Sequence, residues 1–144
     1  MTYERTFFVT TITWQRISLF RNPQRADLMM DVLEHYRDQK KYELHEFAIM
    51  PDHLHLLLTP ATDISLERAV QLIKGGFSYR LGKSKRGSVW QESFTNHRIR
   101  DDQDYERHAE YIRMNPVRAR LVESPELYPY SSAFRGRAAF DAAG

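Results

Sequence analysis

The stretch at residues 50–58 (MPDHLHLLL) constrains the fold most, because histidine and leucine alternate in it. Successive side chains of an extended strand point to opposite faces. His53 and His55 therefore share one face, while the intervening leucines turn toward a core on the other. Two neutral imidazoles on one face form half of a site for a divalent metal ion, although half-buried histidines without a ligand are also common.

The hydrophobic pattern on either side of this stretch predicts three further strands and three helices. Runs of β-branched and aromatic residues predict the strands, and apolar residues at helical spacing predict the helices, two of which have the capping residues Asn22 and Ser65. The predicted strands are 6–14, 42–50, 53–58 and 88–98, and the predicted helices are 23–40, 65–82 and 103–114. We expect His45, Phe47 and Ile49 to share one face of the second strand.

The order β-α-β-β-α-β, followed by a third helix, predicts an α+β fold of the ferredoxin-like split β-α-β type. Two right-handed crossovers build a four-stranded antiparallel sheet with helices on one face, and an additional C-terminal helix carries Tyr111. Asn115-Pro116 predicts the end of that helix, because proline disfavours helical conformation in the residue before it. Residues 125–144 are predicted to form a C-terminal tail.

The composition excludes several classes of site. The chain has no cysteine, so disulfides, thiolate metal ligands and cysteine nucleophiles are ruled out. No apolar run is long enough to cross a bilayer, and residues 1–5 lack a signal-peptide pattern. We therefore expect a cytoplasmic protein that does not contact a membrane.

Basic residues are concentrated between positions 74 and 100, where Glu92 is the only acid, although the formal net charge of the chain is only +2. They are Lys74, Arg80, Lys83, Lys85, Arg86, Arg98 and Arg100. Phe77, Tyr79, Trp90 and Phe94 alternate with them, as on surfaces where bases of single-stranded nucleic acid stack while cations meet phosphates. A solvated loop beside aromatic core residues explains the same pattern equally well.

Tyr111 and Asn115 lie four residues apart on the third predicted helix, and His108 lies three residues before Tyr111, so all three share one face. In the ordinary interpretation these are a packing residue, a helix cap and a surface histidine. A phenol is a weak nucleophile near neutral pH unless a nearby metal ion activates it. A catalytic interpretation therefore requires that this helix face His53 and His55.

Two blocks of the chain resemble the single-tyrosine HUH transposases, and in particular the REP-associated tyrosine transposases. The MPDHLHLLL stretch is similar to the HUH motif, in which two histidines flank a bulky hydrophobic residue. The second block runs from Trp90-Gln91 through HRIRD at 97–101 to YIRMNPVRARLV at 111–122. The resemblance extends from about Arg5 to Ser132.

This resemblance implies an HUH domain over residues 1–124 that cleaves and rejoins single-stranded DNA, naturally hairpins, through a 5′-phosphotyrosine. By position, Tyr111 would be the nucleophile. His53, His55 and Asn115 would hold Mg²⁺ or Mn²⁺, a choice that suits mixed nitrogen and oxygen ligands. Many relatives have Gln where Asn115 stands, and His108 is the alternative third ligand. The seven basic residues would contact the DNA.

A non-catalytic module that binds DNA or RNA hairpins is the alternative function, because ferredoxin-like sheets often bind nucleic acid without catalysis. A degenerate module of that kind would lose His53, His55 or Tyr111, whereas all three are present. The sequence leaves open whether the protein is a monomer or a homodimer, and whether the tyrosine acts on its own histidine pair or on that of a second copy.

Overall fold

The computed structural model describes residues 2–82, 85 and 87–136 of the chain. Its strands are β1 (Phe7–Ile12), β2 (Tyr42–Met50), β3 (His53–Pro60) and β4 (Thr95–Arg98), and its α-helices are α1 (Pro23–Asp38), α2 (Leu66–Leu81) and α3 (Asp102–Arg118). The strands form one antiparallel sheet in the order β2-β3-β1-β4. The predicted α+β ferredoxin-like fold is confirmed.

The sheet separates two hydrophobic layers. Helices α1 and α2 cover one face, where Leu54 and Leu56 of β3 join the larger core. Helix α3 covers the other face, where Leu57 packs with Ala109 and Ile112 of that helix. Because the side chains of β3 alternate, its leucine face builds the first core and its histidine face lies in the second layer.

The helices begin where the predicted capping residues stand. The Asn22 side chain accepts hydrogen bonds from the Gln24 and Arg25 amides of α1. The Ser65 hydroxyl accepts one from the Arg68 amide of α2. Asp101 does the same for α3, accepting from the Asp104 amide. Each cap satisfies a donor that has no partner within its helix.

A β-bulge overturns the prediction that His45, Phe47 and Ile49 share one face. Leu44 pairs with Leu58 and the next pair joins residues 46 and 57, so β2 contains one extra residue at His45. Phe47 and Ile49 enter the larger core. The His45 ring lies instead on the α3 side, against Tyr105, because the extra residue shifts the alternation.

Helix α3 is longer than predicted and contains Pro116 in its last turn. The proline removes only the hydrogen bond that its own amide would donate. The following amides still find partners, since Ala119 donates to the Asn115 carbonyl at 3.0 Å and Leu121 donates to the Pro116 carbonyl at 2.9 Å. Asn115 is therefore an interior position of the helix and not its cap, and the predicted end at 114 is wrong.

The first and fourth predicted strands, 6–14 and 88–98, are shorter in the structure, where they are β1 and β4. Residues 89–91 lie beside the end of β1 but are not part of a strand. The Trp14 amide donates to the Val89 carbonyl and the Gln91 amide donates to the Ile12 carbonyl, both at 2.9 Å. The Trp90 indole donates to the carbonyl of Lys74 on α2 at 3.0 Å, which ties this segment to that helix.

The segment after residue 124, predicted as a tail, runs along β2 for its first part. The buried Tyr128 hydroxyl donates to the Ile49 carbonyl at 2.6 Å, and burial raises the pKa of this phenol to about 12. Backbone bonds join Ile49 to Tyr130 at 2.8 Å and Ser132 to Phe47 at 3.0 Å. None of the described helices is both long and apolar enough to span a membrane.

The adjacent glycines of α2 differ in their surroundings. A Cβ at Gly76 would stand 2.8 Å from the Tyr36 ring of α1, so this glycine permits the two helices to pack closely. A Cβ at Gly75 would meet no atom within 4 Å. The second glycine therefore has a packing reason within the described residues, and the first has none.

Alanine substitutions at these two positions provide a matched test. We expect Gly75→Ala to raise the free energy of unfolding by about 1 kcal/mol, because alanine is the better helix former. That corresponds to a Tm increase of about 2–4 °C for a domain of this size. Gly76→Ala should lose this gain and lower the Tm, because the Tyr36 ring must move. Equal Tm changes in thermal unfolding would contradict the assigned packing role.

Candidate active site

A cleft of about 570 Å³ opens on the α3 face of the sheet. Its floor is made by paired strand positions, and its wall by the last turns of α3 and by the loop after β1. The floor residues are Thr10, Ile12, Met50, His53, His55 and Thr95, and the surrounding residues are Arg16, Tyr111, Asn115, Arg118 and Ala119. The structure thus brings together the histidine pair and the tyrosine helix, which are far apart in the sequence.

Strand register places the two histidines side by side on this floor. His53 pairs with Ile12 of β1 and Met50 of β2, while His55 pairs with Thr10. The imidazole centroids are 4.7 Å apart and the ring planes are inclined by 75°. Both rings lie at the N-terminal end of β3, directly after the tight turn that joins it to β2.

The carboxylate of Asp52, in that turn, orients His53. His53 Nδ1 donates to Asp52 Oδ1 at 2.6 Å, and Asp52 Oδ2 also meets the Arg16 guanidinium at 3.4 Å. Partial burial raises the pKa of Asp52, but the hydrogen bond from His53 and the charge of Arg16 outweigh it and hold that pKa below its usual range. An ionised partner at Nδ1 leaves Nε2 of His53 as the nitrogen with a free lone pair.

His55 is buried and uncharged. Burial, followed by the charges of His53 and Arg118, lowers the pKa of His55 to about 3. Its Nδ1 lies 2.9 Å from the Thr10 hydroxyl, a contact that fixes the ring orientation. A neutral imidazole with one nitrogen occupied is the form that binds a metal ion through the other.

The Tyr111 side chain stands over this pair. Its ring lies 5.4 Å from the His55 ring, edge to face, and 5.9 Å from the Phe8 ring. Tyr111 is 42% exposed and lines the cleft. The tyrosine and the nearer histidine are in ring contact within one chain.

Asn115 lies one helical turn after Tyr111 and contributes a buried atom without a partner. Its side-chain oxygen, Oδ1, accepts no hydrogen bond from any described residue. Leaving such an acceptor unsatisfied costs about 1–3 kcal/mol. A cation in the cleft would satisfy it, so an oxygen ligand beside two imidazoles fits a divalent metal ion such as Mg²⁺ or Mn²⁺.

Two arginines that the sequence reasoning did not assign also line the cleft. The Arg118 guanidinium lies over the Tyr111 ring at 4.4 Å and donates to the Tyr111 carbonyl. Arg16 follows Gln15, and both have left-handed backbone, with φ of 53° and 52°. This conformation is unfavourable for residues with a side chain, so the surrounding structure must hold both residues in it.

Long-range contacts hold that left-handed turn in place. The Thr13 amide donates to the Asp52 carbonyl at 3.0 Å, and the Phe20 amide donates to the Pro51 carbonyl at 2.9 Å. The Thr13 hydroxyl closes the turn itself by donating to the Ile17 carbonyl at 2.7 Å. The turn before His53 and the loop carrying Arg16 are therefore one hydrogen-bonded unit. No local sequence pattern predicts this pairing.

His108, the alternative third ligand, does not line the cleft. The centroid of its ring lies 4.9 Å from that of the Phe8 ring, and the Phe8 ring centroid lies 5.4 Å from that of His55. The Phe8 ring thus lies between the two histidines. His108 instead contacts His97 and Asp104, near the edge strand.

The predicted DNA-contacting residues are dispersed, and none of those described lines the cleft. Arg80, Arg98 and Arg100 are exposed. The ammonium of Lys74 donates to the Gln91 carbonyl at 2.8 Å, and that of Lys85 donates to a carbonyl at 2.9 Å. The remaining two, Lys83 and Arg86, lie outside the described residues.

Comparison with known proteins identifies the family. The model of the family described as "Transposase IS200 like" matches residues 2–115, which include both histidines and the tyrosine. The chain belongs to the IS200-like transposases. The resemblance to REP-associated tyrosine transposases that the two sequence blocks carry is confirmed.

Two curated proteins and one solved structure are similar to this chain over most of its length. A REP-associated tyrosine transposase of Escherichia coli K12 is 29% identical over 131 residues, covering 90% of this chain and 77% of that protein. A Haemophilus influenzae protein assigned to the same type is 35% identical over 114 residues, covering 71% of this chain and 62% of its own length. A solved REP-associated tyrosine transposase bound to a REP hairpin superposes with a TM-score of 0.79 at 26% identity, covering 96% of this chain and 81% of that one.

Replacing the unsatisfied amide of this transposase tests the fit of a cation. Without added metal, we expect Asn115→Leu to raise the free energy of unfolding by about 1 kcal/mol, because a buried acceptor without a partner is replaced by an apolar group of similar size. Thermal unfolding with and without Mn²⁺ measures this, and the variant should also lose stabilisation by Mn²⁺. A lower Tm in metal-free buffer would show that Oδ1 is already satisfied.

Proposed function

We propose that this IS200-like transposase is a metal-dependent single-stranded DNA endonuclease and transposase that cleaves and rejoins DNA through a 5′-phosphotyrosine intermediate. The observation that carries the proposal is the contact of the Tyr111 ring with the His55 ring, 5.4 Å apart, in a cleft that also contains His53. A nucleophile beside a prospective metal site on a family scaffold of transposases favours catalysis over hairpin binding alone.

His53, His55 and Asn115 are the residues that would hold the ion, Mg²⁺ or Mn²⁺. When bound, the ion would neutralise charge on a non-bridging oxygen of the scissile phosphate. Asp52 and Thr10 keep the two imidazoles oriented, and loss of such partners typically weakens metal binding 10–100-fold.

Tyr111 would carry the covalent step. Its phenolic oxygen loses its proton to solvent and forms a bond to the phosphorus, the bond from phosphorus to the 3′ oxygen breaks, and the leaving 3′ oxygen takes up a proton from solvent, so no net proton is consumed. The DNA is then held by its 5′ phosphate. Attack of a free 3′-hydroxyl on that bond reverses the step and rejoins DNA, so the bond energy is conserved in the phosphotyrosine.

The two cleft arginines would hold the phosphate. Arg118 is stacked on the tyrosine ring, so a phosphate approaching the hydroxyl also approaches a guanidinium. Arg16 stands beside Asp52 at the same cleft. Planar guanidinium groups match phosphate geometry with paired donors. The exposed Arg80, Arg98 and Arg100 would contact DNA backbone farther from the cleavage point.

Hairpin-forming DNA is the substrate we propose, because the solved relative is bound to a REP hairpin and is similar over 96% of this chain. We further propose that residues 1–124 form the catalytic domain. The part of the C-terminal extension that the structure describes reinforces β2. A monomer is sufficient for the contact between Tyr111 and His55, and a homodimer remains the other arrangement.

Removing the phenolic hydroxyl is the direct test. We expect Tyr111→Phe to lose the covalent protein–DNA band on labelled single-stranded hairpins with Mn²⁺, while hairpin binding is kept, since only the attacking oxygen is missing. Tyr79→Phe is the matched control, because that tyrosine is 86% exposed and lies outside the cleft. If Tyr111→Phe still forms the adduct, Tyr111 is not the nucleophile. If the wild-type protein binds hairpins but forms no adduct, the non-catalytic binding module is favoured.

The Arg118 guanidinium, which is stacked on the Tyr111 ring, should affect the rate of DNA cleavage more than the affinity for DNA. We expect Arg118→Ala to slow single-turnover cleavage by about 10²–10³-fold, because a positive donor near the transferring phosphate is lost. Arg118→Lys should recover only part of this rate, since an ammonium cannot stack as a guanidinium does.

Arg120→Ala is the control for this charge effect, because Arg120 is exposed and does not line the cleft. Its cleavage rate should match that of the wild type. Equal losses in Arg118→Ala and Arg120→Ala would indicate that only net charge matters.

A further inference from the structure

A second group of metal-ligand side chains lies outside the cleft, where β4 meets the N-terminal half of α3. It consists of His97, Asp104 and His108, whose ligand atoms all lie within 4.8 Å of one another. The Asp104 side chain is only 1% exposed, whereas those of His97 and His108 are 38% and 21% exposed. A buried carboxylate thus faces two imidazoles that solvent can reach.

Each oxygen of the carboxylate is approached by a different imidazole. His97 Nε2 lies 2.7 Å from Asp104 Oδ2. His108 Nδ1 lies 3.3 Å from Asp104 Oδ1, but it donates its hydrogen bond to the Asp104 backbone carbonyl at 2.8 Å, a bond that it would give up to bind an ion. The two rings are nearly parallel, with centroids 4.6 Å apart. Ligand atoms around a tetrahedral ion with bonds of about 2.0–2.2 Å stand roughly 3–4 Å from one another, so small side-chain movements would close this group on an ion.

The surrounding contacts keep the carboxylate charged without blocking it. The Arg100 amide donates to Asp104 Oδ2 at 3.0 Å. The guanidinium groups of Arg100 and Arg107 reach the carboxylate at 3.5 and 3.4 Å, and these side chains are 68% and 64% exposed. Because both arginine side chains are mostly exposed, each guanidinium can move into solvent and leave the carboxylate open to an ion.

We propose that His97, Asp104 and His108 bind one divalent transition-metal ion, Zn²⁺ being the best match, at a site separate from the His53–His55 cleft. Two imidazoles and one carboxylate are a ligand set that Zn²⁺ uses, with water in the remaining position. Mg²⁺ prefers oxygen ligands and is a poor match for this set. The bound ion replaces the hydrogens that His97 Nε2 and His108 Nδ1 now donate to Asp104.

The ion would join the strand that contributes Thr95 to the cleft floor to the helix that forms the cleft wall. His97 lies on β4, two residues after Thr95 of the cleft floor, and His108 lies on α3, three residues before Tyr111. A metal bridge between strand and helix holds that helix more firmly than the single hydrogen bond from His97 to Asp104. We therefore assign the site a positioning role for the tyrosine helix and no direct part in the reaction.

Zinc binding by the full chain tests this site independently of DNA cleavage. After treatment with a chelator, the double variant His53→Ala/His55→Ala should still bind one equivalent of Zn²⁺ in a calorimetric titration. Co²⁺ in that variant should give the visible absorption of a four- or five-coordinate ion with nitrogen ligands. Saturating Zn²⁺ should also raise its Tm, because the ion binds only the folded chain.

Single changes in this double variant identify the ligands. His97→Gln and His108→Gln should each weaken Zn²⁺ binding at least about 100-fold, whereas His35→Gln, at an exposed histidine of α1, should leave it unchanged. Circular dichroism checks that each variant is folded. The proposal is overturned if the double variant binds no Zn²⁺, or if the glutamine variants bind as tightly as His35→Gln. Neither result would affect the proposed function, which Tyr111→Phe tests.

Discussion

Strand β3 is paired on both edges and packed on both faces, so its pleat fixes both layers of the molecule at once. A register slip of one residue would exchange the faces of its histidines and leucines. Such a slip would withdraw Leu54, Leu56 and Leu58 from the larger core, and burial of a leucine is worth about 1.5–3 kcal/mol. The hydrophobic layer behind the sheet therefore holds His53 and His55 in place in front of it.

Local signals were sufficient to predict most of the fold. Alternation located the strands, and the caps at Asn22 and Ser65 act within a few residues of where they stand. The errors occurred where a local rule yielded to tertiary structure. An extra residue at His45 is invisible to an alternation pattern, and Pro116 is accommodated because the following amides find other carbonyls.

The candidate site shows the same division. His53, His55 and Tyr111 carry recognisable chemistry in recognisable motifs, and the structure brings them into one cleft. Arg16 could not be found in this way, because a loop 36 residues before Asp52 is bound to the turn only by long-range hydrogen bonds and a left-handed backbone. Arg118 had a weaker signal, since it lies on the tyrosine helix seven residues after Tyr111, on an adjacent part of the same helix surface.

Helix α3 carries Tyr111, Asn115 and Arg118 on one continuous element, while the histidines belong to the sheet. Any difference in the tilt of this helix would place Tyr111, Asn115 and Arg118 together at a different distance from the imidazoles. The relative position of all these side chains therefore depends on how the buried Ala109 and Ile112 pack against the sheet, in a layer separate from the larger core under α1 and α2.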